Sequence, residues 1–279
     1  MSTTTDAEYL VVLVLVSLIP ALLYLIWVRK SERYAGEAWG PLLWAFVYGA
    51  MFATITAAIL EAVIVSVGTS VSQNYPGPEF VFLNGNSTLG TFFLVLVVAP
   101  FIEEALKASG VVRWKSRIGK VADGPVFGAS VGLGFGFFET FLYGAGAFLV
   151  GGLAAGIALI ALRSVSSVVL HGSSTGMFGY GYARSRFKLP GPGSGAYYGL
   201  AVAMHASFNA LASLAAILMV FGIGGFAVET ASFVALVAAI AYAFGAIEHV
   251  RAVIHASDYP ALTARVRHST AARRPPPSR

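Results

Sequence analysis

Apolar residues run through this chain in blocks too long for the core helices of a water-soluble domain. Seven segments, roughly 9–28, 41–67, 89–109, 125–149, 153–182, 195–221 and 226–249, are each long enough to cross a hydrocarbon core, which takes about 20 apolar residues. The pattern predicts an all-α fold, a polytopic transmembrane helical bundle of about seven spans. Four segments are interrupted by side chains that lipid tolerates poorly. Glu103, Glu104 and Lys107 fall in the third, Glu139 in the fourth, His171 and Thr175 in the fifth, and His205 and Asn209 in the sixth. A charge near the bilayer centre costs about 2.5–3.5 kcal/mol on insertion scales, so such residues face a protein interior or a wet cavity.

Composition agrees with this pattern. Of 279 residues, 57% are hydrophobic and 11% charged, and 31 are glycine; the mean hydropathy is +0.76. A soluble domain of this length needs far more surface charge. All of the 18 Lys and Arg residues except Lys107 and Arg163 follow the first, third, fifth or seventh segment. By the positive-inside rule this puts the N-terminus outside and the C-terminus in the cytoplasm, in a multi-pass protein of the cell membrane. The first segment reads as a signal anchor, because its leader carries Asp6 and Glu8 and no basic residue, and Arg29-Lys30 closes it. Residues 1–255 are expected to form a single transmembrane domain, with 256–279 as a basic cytoplasmic tail. Gly128, Gly132 and Gly136, four residues apart, predict a flat stripe on which another helix packs closely.

The polar clusters then divide by geometry. Adjacent helical positions point about 100° apart, so Glu103 and Glu104 cannot face one point, and one is expected to meet water or substrate while the other meets a partner. Lys107 reaches either carboxylate, or else snorkels to the interface. Glu139 requires a cationic or metal partner, or serves as a neutral hydrogen-bond donor. His205 and Asn209 project together, a pair suited to an oxyanion. At about 1.5 Å per residue the four clusters lie roughly 10 to 21 Å from the basic ends of their segments, which is compatible with one site in the central to cytoplasmic half of the bilayer. Glu61 and Arg163 fall nearer the opposite ends and are expected to pair with each other, Arg163 having Glu139 as its alternative.

Several hydrolase types are excluded by residues. Asp6, Asp123 and Asp258 all lie at or beyond segment ends, against a paired-aspartate protease. No His-Glu-x-x-His sequence occurs, and with no cysteine there is neither a thiol nucleophile nor a thiolate ligand. Nothing marks Ser173, Ser174 or Ser207 as the nucleophile of a serine–histidine dyad.

Taken in order, Glu-Glu-x-x-Lys at 103–107, Phe-x-x-x-Glu at 135–139, His171 followed by Thr175-Gly176, and His-x-x-x-Asn at 205–209 resemble the PrsW family of intramembrane proteases, itself related to the CAAX prenyl endopeptidases and bacteriocin-processing proteins. The resemblance covers a core from about 89 to 215. It departs from the CAAX branch in having Glu139 for a histidine and Lys107 for a later arginine, so a prenylated substrate is not implied. What it implies is a glutamate-dependent peptide hydrolase acting on a membrane-anchored protein. Glu103 or Glu104 would be the general base, Glu139 or His171 would orient the water or protonate the leaving amine, and His205 with Asn209 would stabilise the oxyanion. Lys107, Arg163 and Thr175 would support them.

No cofactor is favoured on this reading. The alternative is a zinc site made of Glu139, His171 and His205. Two readings from other classes stay open, a proton-coupled transporter and a catalytically silent scaffold. The partners expected are the lipid bilayer and a membrane-anchored protein substrate, with no nucleic acid.

Overall fold

A computed structural model of the chain describes residues 3–34, 36–75 and 77–258; the basic tail expected after 256 lies almost wholly outside them. The described residues are helical, without strands. The order is α1 (Thr3–Arg29), α2 (Trp39–Asn74), a 3-10 turn (Pro78–Leu83), α3 (Thr88–Arg113), α4 (Asp123–Ser164), α5 (Ser167–Arg186), α6 (Ser194–Ala212), α7 (Leu214–Val220) and α8 (Phe226–Ser257).

By length and composition five stretches can cross a membrane: Ala7–Arg29, α2, α3, Asp123–Arg186 and α8. The bent pair α6 and α7, which turns by 63°, makes a sixth when taken as one span. The fourth and fifth of the seven segments expected from the sequence, 125–149 and 153–182, both fall in the stretch Asp123–Arg186, where two helices meet at a kink. That stretch doubles back at Gly152, whose φ of 78° and ψ of −177° belong to a backbone region open essentially to glycine alone. Gly144 on the first leg meets Gly156 and Ile160 on the second, so the legs run antiparallel. After a break at Val165 and Ser166 the second leg continues as α5.

The first leg of α4 is the centre of the bundle. Every residue from Asp123 to Phe137 is buried, with α1, α2, α3 and α5 packed around it. Its glycines make this possible. A Cβ at Gly128 would collide with the Thr175 carbonyl, and one at Gly132 with the His171 carbonyl. The stripe expected from the sequence is therefore the seam between α4 and α5, and it fixes how near His171 comes to the other helices. Large apolar side chains such as Leu149, Val150 and Phe226 are exposed on the outside of the bundle, where lipid is the natural solvent.

Two π-helical stretches interrupt the regular helices, Tyr48–Ala53 in α2 and Leu94–Val98 in α3. In the second, the Ala99 amide bonds to Leu94 O. The i+5 partner of Val95 O would be residue 100, which is proline and has no N–H to give.

At one end of the bundle a polar cluster ties three connections together. Lys120 Nζ lies 3.2 Å from Glu32 Oε1 and 2.5 Å from Asp258 Oδ1. Asp258 Oδ2 accepts from the amides of Arg33 and Tyr34. The end of α8 is thereby fastened to the segment after α1 and to the turn before α4. Burial pushes the Glu32 carboxyl up to about 6, against the opposing pull of the Glu37 amide and Lys120.

Two outcomes are expected. Gly132→Val forces α4 and α5 apart and lowers the melting temperature in detergent by about 5–10 °C, whereas Gly146→Ala, where a Cβ meets nothing within 4 Å, leaves it nearly unchanged. Glu32 holds its proton more tightly in the folded chain, so its contribution is full below about pH 4.5 and is lost as pH rises to about 6. Thermal melts across that window should show a decline of about 2 kcal/mol from this residue, and Glu32→Gln should remove that share.

Candidate functional site

The polar residues of α3, α4, α5 and α6 converge. On α3, Glu103, Glu104 and Lys107 are all buried, and Lys107 is wholly inaccessible. Lys107 does not snorkel. Its Nζ lies 2.8 Å from Glu104 Oε1, 2.9 Å from His171 Nδ1 and 3.6 Å from Glu103 Oε2, and sits 4.3 Å from the centre of the Phe135 ring. An ammonium surrounded in this way keeps its charge in place without water.

These contacts set the proton positions on the imidazoles. An ammonium has only protons to give, so His171 Nδ1 accepts from Lys107. His171 Nε2 then donates to Glu139 Oε2 at 2.9 Å. The same Glu139 oxygen accepts from Arg163 Nη2 at 2.6 Å, and Arg163 also donates to Ser167 Oγ. On α6, His205 Nδ1 donates to Glu104 Oε1 at 3.1 Å, leaving the lone pair of Nε2 directed toward Glu103 Oε2, 3.9 Å away. The two imidazole rings meet edge to face, 4.9 Å between centroids.

Glu103 and Glu104 divide as adjacent helical positions must. Glu104 is enclosed by Lys107, His205, Ser174 Oγ at 3.0 Å and Thr175 Oγ1 at 3.5 Å. Glu103 Oε2 is buried and has no hydrogen-bond partner. Glu103 faces a cavity of about 450 Å³, whose wall also includes His171, His205, Glu139, Glu61 and Asn209. A peptide segment or several waters fit in such a space.

Glu103, His171 and His205 each offer one ligand atom, and these atoms all lie within 4.8 Å of one another. The set is one carboxylate and two imidazoles, suitable for a borderline metal such as Zn²⁺. The Glu103 oxygen, buried without a hydrogen bond and only in a 3.6 Å ion pair with Lys107, is an acceptor that a closer cation would satisfy. Of the charged groups, four carboxylates (Glu61, Glu103, Glu104 and Glu139) stand against two cations (Lys107 and Arg163). The anchoring of His205 Nδ1 on Glu104 is the outer-shell arrangement that orients a metal-binding imidazole. The residues therefore fit a divalent metal once His171 exchanges one of its two hydrogen bonds, to Lys107 or to Glu139, for the ion, with Glu103 in the place that sequence reasoning gave to Glu139.

Other expectations land differently. Arg163 pairs with Glu139 and not with Glu61, whose Oε1 is left without a partner at the cavity wall. Asn209 borders the cavity, but its Nδ2 donates 2.8 Å to Val95 O, the carbonyl that Pro100 cannot serve. It thus clasps α6 to the π-helical part of α3. Sequence reasoning weighed Ser174 only as a nucleophile, not as a partner of Glu104, and did not single out Ser167. A serine in an apolar helix ordinarily bonds to its own backbone, as Ser173 does with Val169 O, and no spacing distinguishes it from Ser174.

No curated protein and no solved structure matches this chain. A model of the family described as PrsW family intramembrane metalloprotease matches residues 37–243. That match spans most of the chain and includes every residue of the buried polar group, and the chain belongs to the PrsW family of intramembrane peptidases.

Proposed function

We propose that this protein hydrolyses a peptide bond of a membrane-anchored protein with water activated at Glu103, His171 and His205, which together hold a divalent metal. The observation that carries this reading is the carboxylate oxygen of Glu103, buried without a hydrogen bond, 3.6 Å from Lys107 Nζ and beside two imidazoles at the wall of a cavity. Zn²⁺ bound there supplies a Lewis acid that polarises water or a substrate carbonyl near neutral pH. The basic residues after the first, third, fifth and seventh sequence segments support an orientation with the C-terminus in the cytoplasm and the site in the central to cytoplasmic half of the bilayer.

The chain's own residues have distinct tasks. Glu104 holds His205 through Nδ1 and so keeps Nε2 turned to the cavity. Lys107 locks Glu104 and His171 together, which fixes α3 against α5. Glu139, held by Arg163, borders the cavity beside His171 Nε2, where it can take a proton from water and pass it to the leaving amine. Asn209 keeps the α3 wall in register with α6.

A second reading, hydrolysis without metal, is favoured by one observation: both nitrogens of His171 are engaged, by Lys107 and Glu139. Glu103 is then the general base, and His171 remains hydrogen-bonded as it stands.

Glu103→Gln and His205→Ala should each reduce cleavage of a model single-span peptide in proteoliposomes at least about a hundredfold. Elemental analysis decides between the readings. About one zinc per wild-type chain, lost in His205→Ala, supports the metal site, while full activity in metal-free protein supports the second reading. Proton flux through proteoliposomes with no cleavage of any peptide would replace both by transport. Asn209→Leu should lower thermal stability by about 1–3 kcal/mol, through the stranded Val95 carbonyl, and should reduce cleavage less than His205→Ala does.

A further inference from the structure

A second cavity, of about 210 Å³, adjoins the first. Arg163, Ser167, Phe208 and Ala212 border both. Its remaining wall comes from the second leg of α4 and from α6, α7 and α8, and includes Leu162, Leu211, Ala215, Leu236 and Ala239. The space exists because alanines stand where the chain bends by 63° between α6 and α7, opposite the alanines of α8.

Most polar atoms around this space are engaged elsewhere, the exception being the buried Nε of Arg163 at the wall shared with the first cavity. Ser166 Oγ donates to Leu162 O and Ser232 Oγ to Val228 O, each within its own helix. The Arg163 guanidinium is turned to Glu139. What the cavity presents to an occupant is therefore mainly aliphatic and aromatic surface, with Arg163 at the wall it shares with the charged site.

We propose that this cavity is a specificity subsite that takes one large aliphatic or aromatic side chain of the substrate, next to the bond that is cut. The inference rests on the peptidase reading above. A peptide bond must leave helical hydrogen bonding before water can attack it, so the reacting segment is extended. In an extended chain successive side chains point to opposite sides at about 3.3 Å per residue. A segment lying against Glu103 and His205 thus sends a neighbouring side chain past Phe208 and Ala212. The four shared wall residues are what distinguish a substrate subsite from a groove for lipid, which needs no connection to the polar site.

The test uses the full chain in proteoliposomes. Single-span peptides carrying a photoreactive leucine at one position at a time are cross-linked to the Glu103→Gln variant. The expected result is labelling of Leu211, Ala215 or Leu236 from one peptide position. For cleavage, peptides with Ala or Phe at that position are compared on two variants that change the cavity in opposite senses. Leu236→Ala should raise the Phe-to-Ala ratio of kcat/KM about tenfold and Ala215→Phe should lower it about as much, with zinc content unchanged in both.

Unchanged ratios with cleavage intact would overturn the subsite and leave the peptidase reading standing. Labelling of these residues by a photoreactive phospholipid, and not by the peptides, would likewise assign the cavity to lipid. Failure of the wild type to cut any peptide would overturn the peptidase reading, and the cross-linking would then still show whether a peptide side chain occupies the cavity.

Discussion

An ammonium group with no access to water sets the terms for the rest of this structure. Burying a charge costs several kcal/mol unless acceptors replace the lost hydration. Around Lys107 these are a carboxylate from its own helix and an imidazole from α5, with an aromatic face from α4 beside them. The group therefore joins three helices at one atom. Removing any one of these contacts leaves a charge that the apolar surroundings cannot accommodate, so the positions of Glu104 and His171 are fixed as firmly as the lysine itself.

That junction is reachable only because α4 and α5 approach to backbone contact. The glycines at 128 and 132 bring the α5 carbonyls against α4, and His171 is carried on the same turn. Packing without side chains and a dense network of charges are thus two parts of one arrangement. The first provides close approach without hydrophobic driving force, which lipid does not supply. The second makes one register of the two helices far better than its neighbours, since a shift by one residue would turn His171 away from Lys107.

Much of this was legible in the sequence, because a membrane makes polar residues conspicuous. Glu103, Glu104, Lys107, Glu139, His171 and His205 stood out against apolar segments, and the chain brings them together. The glycine spacing identified the α4–α5 seam. What was hidden depends on direction rather than on type or depth. Arg163 meets Glu139, its alternative partner, and not Glu61; depth along the segments allows both, and the side of the helix that each carboxylate faces is not written in the spacing. Asn209 serves a carbonyl released by a π-helical turn, and a 3.6-residue period carries no sign of such a turn.

The reversal at Gly152 also bears on how the chain enters its membrane. Between Glu139 and Arg163 there is no Asp, Glu, Lys or Arg, and the turn itself is made by two adjacent glycines. Carrying this tip across the bilayer requires dehydrating a few backbone amides and no ionised group. A pair of legs joined in this way has a low barrier to crossing as one unit, so the helix that brings Glu139 and the strand of chain that brings Arg163 arrive together, with their charges already able to neutralise each other.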